Sequence, residues 1–174
     1  GIVTGHLALR ELDGEELIFA GHSVGEITAA ALAGVLSDED AMRFVRVRAN
    51  GMAEAAAASP TGMAAVLGGV EENVREAIDA AGLVAANSNG GGQIVAAGPI
   101  PAIEAFAANP PARARVIPLK VAGAFHTEAM APAVPALEEF AASLQVSDPT
   151  SALLTNRDGS AVASGEEFVE TLVS

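Results

Sequence analysis

The chain has 174 residues, enough for one domain or for a domain with a small insert. A net charge of −13, with nine Lys and Arg and neither Trp nor Tyr, argues against binding to nucleic acid or to an anionic membrane. The absence of cysteine excludes disulfides, cysteine–zinc sites and thiol catalysis and suits a cytoplasmic protein, and no apolar run nears the ~20 residues of a membrane helix.

Residues 1–16 read as a helix end and a loop, with Leu7, Leu9 and Leu12 on an apolar side and His6 at the surface. Leu17–Ala20 has the length and character of a buried strand, and Ile27–Ala33 reads as a helix that stops at Gly34. Between them stands Gly21-His22-Ser23-Val24-Gly25, so the order is strand, G-x-S-x-G, helix: a nucleophile elbow. Such a turn is expected to admit only small residues two positions either side of the serine, here Gly21 and Gly25. It lifts the Ser23 hydroxyl above the sheet edge and aims the first N–H groups of the helix at any negative charge forming there. Ser23-x-x-Glu26 also fits a helix capping box, in which the serine only terminates a helix.

Ser37-Asp38-Glu39-Asp40 caps a second helix, about Asp38 to Ala57, with acidic groups in its first turn where the macrodipole favours them. At 100° per residue Ala41, Phe44, Val45, Met52 and Ala56 share one face, and Arg48 falls in the middle of it. Arg43, Arg46, Asn50 and Glu54 lie opposite. A guanidinium on an apolar stripe must snorkel out or meet an anion. From spacing alone, a structural ion pair and a fork that receives a substrate carboxylate are equal readings.

Composition changes at Ser59-Pro60-Thr61-Gly62. Beyond it come strand Met63–Leu67, helix Glu71–Ala81, strand Val84–Asn87, strand Gln93–Ala97, helix Ile100–Ala108 and strand Arg115–Leu119. This βαββαβ order reads as a ferredoxin-like insert. Asn87–Gly92 reads as a hairpin turn, and it lacks the lysine and helix start of a phosphate-binding loop. Val121–Thr127 then brings His126 to the entrance of a helix starting near Glu128. An exposed serine upstream makes a serine–histidine pair the better reading of that histidine. A strand (Ala152–Thr155), a turn at Asn156–Gly159 and a helix from about Glu166 complete the chain.

Together these residues resemble malonyl-CoA:acyl-carrier-protein transacylases of bacterial fatty acid synthesis, which are related to polyketide synthase acyltransferase domains. The resemblance runs through nearly the whole chain. It rests on Gly21–Glu26, an arginine 25 positions after the serine (Arg48), Asn87-x-Asn89 before Gly92-Gln93, Gly123-Ala124-Phe125-His126 with Met130 and Pro132 beyond, and Asn156-x-Asp158-Gly159.

It implies an α/β-hydrolase-like core (1–60 and 122–174) with a ferredoxin-like subdomain (61–121). It also implies a malonyl-serine intermediate on Ser23, with His126 as base, the Val24 N–H in the oxyanion hole and Arg48 holding the malonyl carboxylate. Related acyltransferases place His-Ala-Phe-His at the histidine for malonyl and Tyr-Ala-Ser-His for methylmalonyl. Phe125 matches the malonyl type and Gly123 departs from it. His22, Asn87 and Asn89 are implied contacts for CoA or its pantetheine arm.

Malonyl-CoA and acyl carrier protein are the expected partners, with Arg113, Arg115 and Lys120 as candidate docking cations or merely scattered solubilising charges. No cofactor and no metal is called for, and a cytoplasmic monomer is expected. The resemblance also predicts a Gly-Gln-Gly-rich motif ahead of Gly1, whose glutamine supplies a second oxyanion N–H. It further predicts a later segment whose Asn or Gln backbone orients the histidine, so the sequence is expected to be an internal piece of a longer protein. An esterase of the α/β-hydrolase type, a polyketide synthase acyltransferase and an inactive fragment that only binds CoA or carrier protein are the rival readings.

Overall fold

The computed structural model describes residues 1–12 and 15–173, so Asp13 and Gly14 of the expected first loop lie outside the described residues. In chain order the elements are α1 (Ile2–Leu9), β1 (Ile18–Ala20), α2 (Gly25–Leu32), α3 (Asp38–Ala58), β2 (Thr61–Gly68), α4 (Glu71–Ala80), β3 (Val84–Gly90), β4 (Gln93–Pro99), α5 (Ile100–Ala108), β5 (Ala114–Pro118), α6 (Val134–Ala142), β6 (Ala152–Leu154) and α7 (Gly165–Val173), with a 3₁₀ segment at Glu128–Ala133. The chain is a mixed α/β protein with one parallel and one antiparallel sheet. It divides into two compact units, one formed by Gly1–Ala49 with the chain from Val134 onward, the other by Asn50–Ala133. The second unit is wider at both ends than the expected 61–121: it includes the last turns of α3 and the His126 stretch.

In the first unit β1 pairs in parallel with β6, placing Phe19 opposite Leu153. Ile27, Val35, Phe44, Leu153 and Phe168 form the centre of its core, and the rings of Phe44 and Phe140 meet edge to face at 5.9 Å. The helix stop at Gly34 follows from its backbone. With φ at +80°, Gly34 lets its own N–H reach Ala31 O and the Val35 N–H reach Ala30 O, which satisfies the end of α2.

One sequence expectation fails in this unit. Leu17–Ala20 is not a buried strand: Ile18 is 67% exposed and Ala20 is also exposed. Among the described residues β1 has one strand neighbour, whereas burial of a parallel strand needs covering on both faces. The apolar side of α1 is not covered either, for Leu7 is 55% exposed and no residue of the helix is buried.

The second unit holds an antiparallel sheet in the order β3-β4-β2-β5. The period-two alternation of β2 sends Ala64 and Val66 to one face, where Val74 and Ile78 of α4 and Ile103 and Phe106 of α5 cover them. Met63 points the other way and packs with Val95, Ala97 and Ala124. Both faces of this strand are therefore covered, which is why it reads as a nearly continuous apolar run.

The expected six-residue turn is shorter than its sequence suggested. β3 runs on to Gly90 through two irregularities in register, and Gly91-Gly92, with φ of +57° and +77°, make a two-residue connection of the kind glycine permits. The helix expected from Glu128 begins instead as a 3₁₀ segment with Pro132 inside it, and α6 starts only at Val134. Proline has no N–H to continue an α-helical ladder.

Candidate active site

His22, Ser23, Val24 and Arg48 lie in the first unit; Asn87, Asn89, Phe125 and His126 lie in the second. Ser23 occupies the turn between β1 and α2 with φ at +55°, a left-handed conformation that costs a non-glycine residue about 1–3 kcal/mol. His126 shares it, at +59°, and Arg113 is the third such residue among those described. Such strain persists only where surrounding structure imposes it, and it gathers at functional positions.

The elbow is tight on one side only. A Cβ at Gly21 would run into the Gly25 carbonyl and the Glu26 nitrogen, whereas a Cβ at Gly25 meets nothing within 4 Å. The expectation of two obligatory small residues is thus corrected to one. Gly21→Ala should destabilise the fold by ~3 kcal/mol or more, since backbone must move, while Gly25→Ala should change stability by less than about 1 kcal/mol. Urea unfolding of both variants checks this, and equal effects would contradict the geometry.

The capping-box alternative is also corrected. Val24 is the N-cap of α2, and it makes no side-chain capping bond. The Gly25 and Glu26 N–H groups donate to His22 O and Ser23 O at 2.9 and 3.0 Å, while no acceptor stands against the Val24 N–H in the turn bonds of the described residues. The Glu26 carboxylate is bonded to the backbone beyond β6. Glu26 is 8% exposed and its Oε1 accepts the Asn156 N–H at 2.7 Å, across to the turn that follows β6. Burial pushes its pKa up, opposed by the Asn156 N–H, the Thr155 side chain, and the charges of Arg157 and Arg48.

Arg48 is half-buried on the predicted stripe of α3, beside the buried Ala41 and Phe44. Its Nη2 donates to Ser23 Oγ at 3.0 Å. Burial pushes the guanidinium pKa down and the charge of Glu26 pushes it back up. Among the described residues no carboxylate makes an ion pair with Arg48. The cation therefore stands against the nucleophile candidate, with a counter-charge nearby but not in contact.

In the second unit Ala124 is buried against the sheet and its N–H donates to Thr61 Oγ1 at 3.0 Å. Thr127 Oγ1 donates back to Ala124 O at 2.7 Å, and the Met130 N–H to Thr127 O at 2.9 Å. These bonds brace the backbone on both sides of His126, which is exposed at a depression of about 510 Å³ lined also by Thr61, Gly98, Ala124 and Ala129. Gly123 is needed here: a Cβ on it would stand 2.8 Å from that of Ala56. Phe125 is half-buried, packed between the Met63–Val95–Ala97 cluster and the Ala55–Ala56–Met130 cluster. Asn87 is half-buried in the β3 ladder opposite Val95, and the exposed Asn89 donates from Nδ2 to Gln93 Oε1 at 2.7 Å.

Comparison with known proteins decides the family. The acyl transferase domain matches residues 14–171. The chain belongs to that family. Among curated acyl transferase relatives, malonyl CoA-acyl carrier protein transacylase of Mycobacterium bovis is 52% identical over 163 residues, which are 94% of this chain and 54% of the relative. The crystal structure of the Mycobacterium tuberculosis MCAT superposes with a TM-score of 0.94 at 49% identity, covering 99% of this chain and 58% of that one. A malonyl-transacylase solved with a type II polyketide synthase acyl-carrier protein reaches a TM-score of 0.86 at 29% identity, covering 98% of this chain and 58% of that one. The chain spans about half the length of the curated relatives it matches.

Among the described residues no helix is long and apolar enough to cross a membrane. Glu26 is the residue of interest that sequence reasoning assigned only to a cap. Its signal was available: a carboxylate among Ile27, Ala29 and Ala30 on a short apolar helix, the same anomaly that marked Arg48.

Proposed function

We propose that this chain carries the acyl-transfer chemistry of a cytoplasmic malonyl-CoA:acyl-carrier-protein transacylase acting without cofactor or metal, as a monomer. The observation that carries this reading is the 3.0 Å bond from Arg48 to Ser23 Oγ. A guanidinium at the acyl-bearing oxygen is suited to a short acyl group that ends in a carboxylate. The architecture proposed is an α/β-hydrolase-like core, 1–60 and 122–174, with a ferredoxin-like subdomain at 61–121. The strand order β3-β4-β2-β5, antiparallel throughout, supports the latter.

His126 removes the Ser23 proton as Oγ attacks the thioester carbonyl of malonyl-CoA. The Val24 N–H donates to the oxyanion, where one such donor is typically worth ~10²–10³ in rate. The tetrahedral intermediate collapses, the C–S bond breaks and His126 protonates the departing thiolate, leaving malonyl-Ser23. The phosphopantetheine thiol of acyl carrier protein then attacks, and the same steps run in reverse.

Arg48 holds the malonyl carboxylate in two parallel hydrogen bonds. Phe125 limits the space beside the acyl α-carbon, and His22, Asn87 and Asn89 contact the CoA or pantetheine arm. Arg113, Arg115 and Lys120, all exposed, are the candidate cations for an acidic carrier. The likeness to a transacylase solved with a polyketide carrier protein keeps a polyketide role as the second reading.

The two-step path predicts parallel double-reciprocal plots when malonyl-CoA is varied at several fixed concentrations of carrier protein. Intersecting lines would mean that both substrates bind before transfer, and the covalent path would fail.

A further inference from the structure

We infer that Thr127 and Thr61 are positioning residues for His126: their hydroxyls grip the Ala124 backbone from both sides and hold the histidine in its left-handed conformation. The inference rests on the reading of His126 as the base.

A run of hydrogen bonds within the second unit carries it. The N–H of the buried Ala124 donates to Thr61 Oγ1 at 3.0 Å, and Thr61 Oγ1 donates onward to Ser59 O at 3.4 Å. On the other side Thr127 Oγ1 donates to the Ala124 carbonyl at 2.7 Å and accepts the Ala129 N–H at 3.3 Å. Each hydroxyl donates once and accepts once, so the bonds point in one sense from Ala129 to Ser59 and reinforce one another.

Between the two anchored residues lie only Phe125 and His126. Ala124 is fixed further by its packing with Met63, Val95 and Ala97. His126, at φ of +59°, holds a conformation that a residue with a side chain keeps only where its surroundings impose it. The Thr127 bond spans that strained residue, tying the carbonyl of Ala124 to the side chain that follows the histidine. Thr127 is itself held at the start of the 3₁₀ segment, where its carbonyl accepts the Met130 N–H at 2.9 Å. Without the hydroxyl, residue 126 is free to return to negative φ, and that rotation swings the imidazole away from its place at the depression.

The test uses Thr127→Val, which keeps the shape of the side chain without its hydroxyl, and Thr127→Ser, which keeps the hydroxyl. The His126 ring signal is followed by proton NMR and assigned by its loss in His126→Ala. Thr127→Val should shift or split that signal, and Thr127→Ser should leave it in place. At saturating malonyl-CoA, single-turnover formation of the malonyl-enzyme should slow about 10–100-fold in Thr127→Val, the scale on which a misplaced catalytic group loses rate. The half-saturating concentration of malonyl-CoA should not change, and Thr127→Ser should react at close to the wild-type rate. In a His126→Ala background, adding Thr127→Val should slow the residual reaction no further. Thr61→Val releases the other grip and should act in the same direction, which keeps the test open if Thr127→Val does not fold. A ring signal unmoved in the valine variants, serine as damaging as valine, or an equal slowing without His126 would each overturn the assignment. His126→Ala that acylates as fast as wild type would instead remove the reading of His126 as base, and the ring signal alone would then decide whether the threonines place it.

Discussion

Replacing Ser23 by alanine should abolish acyl-enzyme formation, with a loss on the order of 10⁶ in acylation rate, as when a covalent nucleophile is removed from a serine hydrolase. The elbow offers no substitute. Its neighbours Gly21, His22, Val24 and Gly25 carry no hydroxyl, and the chain has no cysteine. The loss of activity should far exceed any loss of stability. Serine and alanine bear the same Cβ and suffer the same strain at φ of +55°, so the cost to the fold is the acceptor that Arg48 Nη2 loses. Urea unfolding of the variant should stay within about 1–3 kcal/mol of wild type, and intact mass after exposure to malonyl-CoA should show no adduct. A persistent adduct would place the nucleophile elsewhere.

Arg48→Ala should divide substrates by their charge. Losing one partner of a half-buried, charge-assisted pair typically costs 2–5 kcal/mol, so kcat/KM for malonyl-CoA should fall by about 10²-fold or more. Acetyl-CoA has no carboxylate to lose, so the ratio of acetyl to malonyl transfer should rise. Hydrolysis of the acyl-enzyme should rise as well, because in the proposed role the arginine fixes the acyl group so that water has a poor line of attack. The discriminating measurement is kcat/KM for both thioesters on one preparation. Equal loss for the two would mean that Arg48 supports the elbow through its bond to Ser23 rather than reading the substrate.

What was legible in the sequence is what periodicity encodes. The stripe of α3 put Arg48 among Ala41, Phe44 and Met52, and the structure has it half-buried there. The alternating strands and amphipathic α4 gave the antiparallel sheet its elements in the right order, because each buries a face against the others. The elbow was legible from its glycines and hydroxyl, though only Gly21 is sterically required.

Other features depend on contacts distant in sequence. Whether Leu17–Ala20 is buried is decided by which strands and helices cover it, not by its own apolar residues. The destination of Glu26 is decided by Asn156, 130 positions away, while local spacing pointed only to a cap. The hairpin after Asn87 was misjudged in length because its polar and glycine residues stay in the ladder as far as Gly90, with irregularities that one strand's sequence does not display.

The most direct test of the account is the intact mass of the 174-residue chain after brief incubation with malonyl-CoA, with acetyl-CoA and the Ser23→Ala variant in parallel. The account predicts one malonyl group on the wild-type chain, none on the variant and a much weaker acetyl adduct. No adduct on folded protein, or acetyl and malonyl adducts of equal extent, would contradict it.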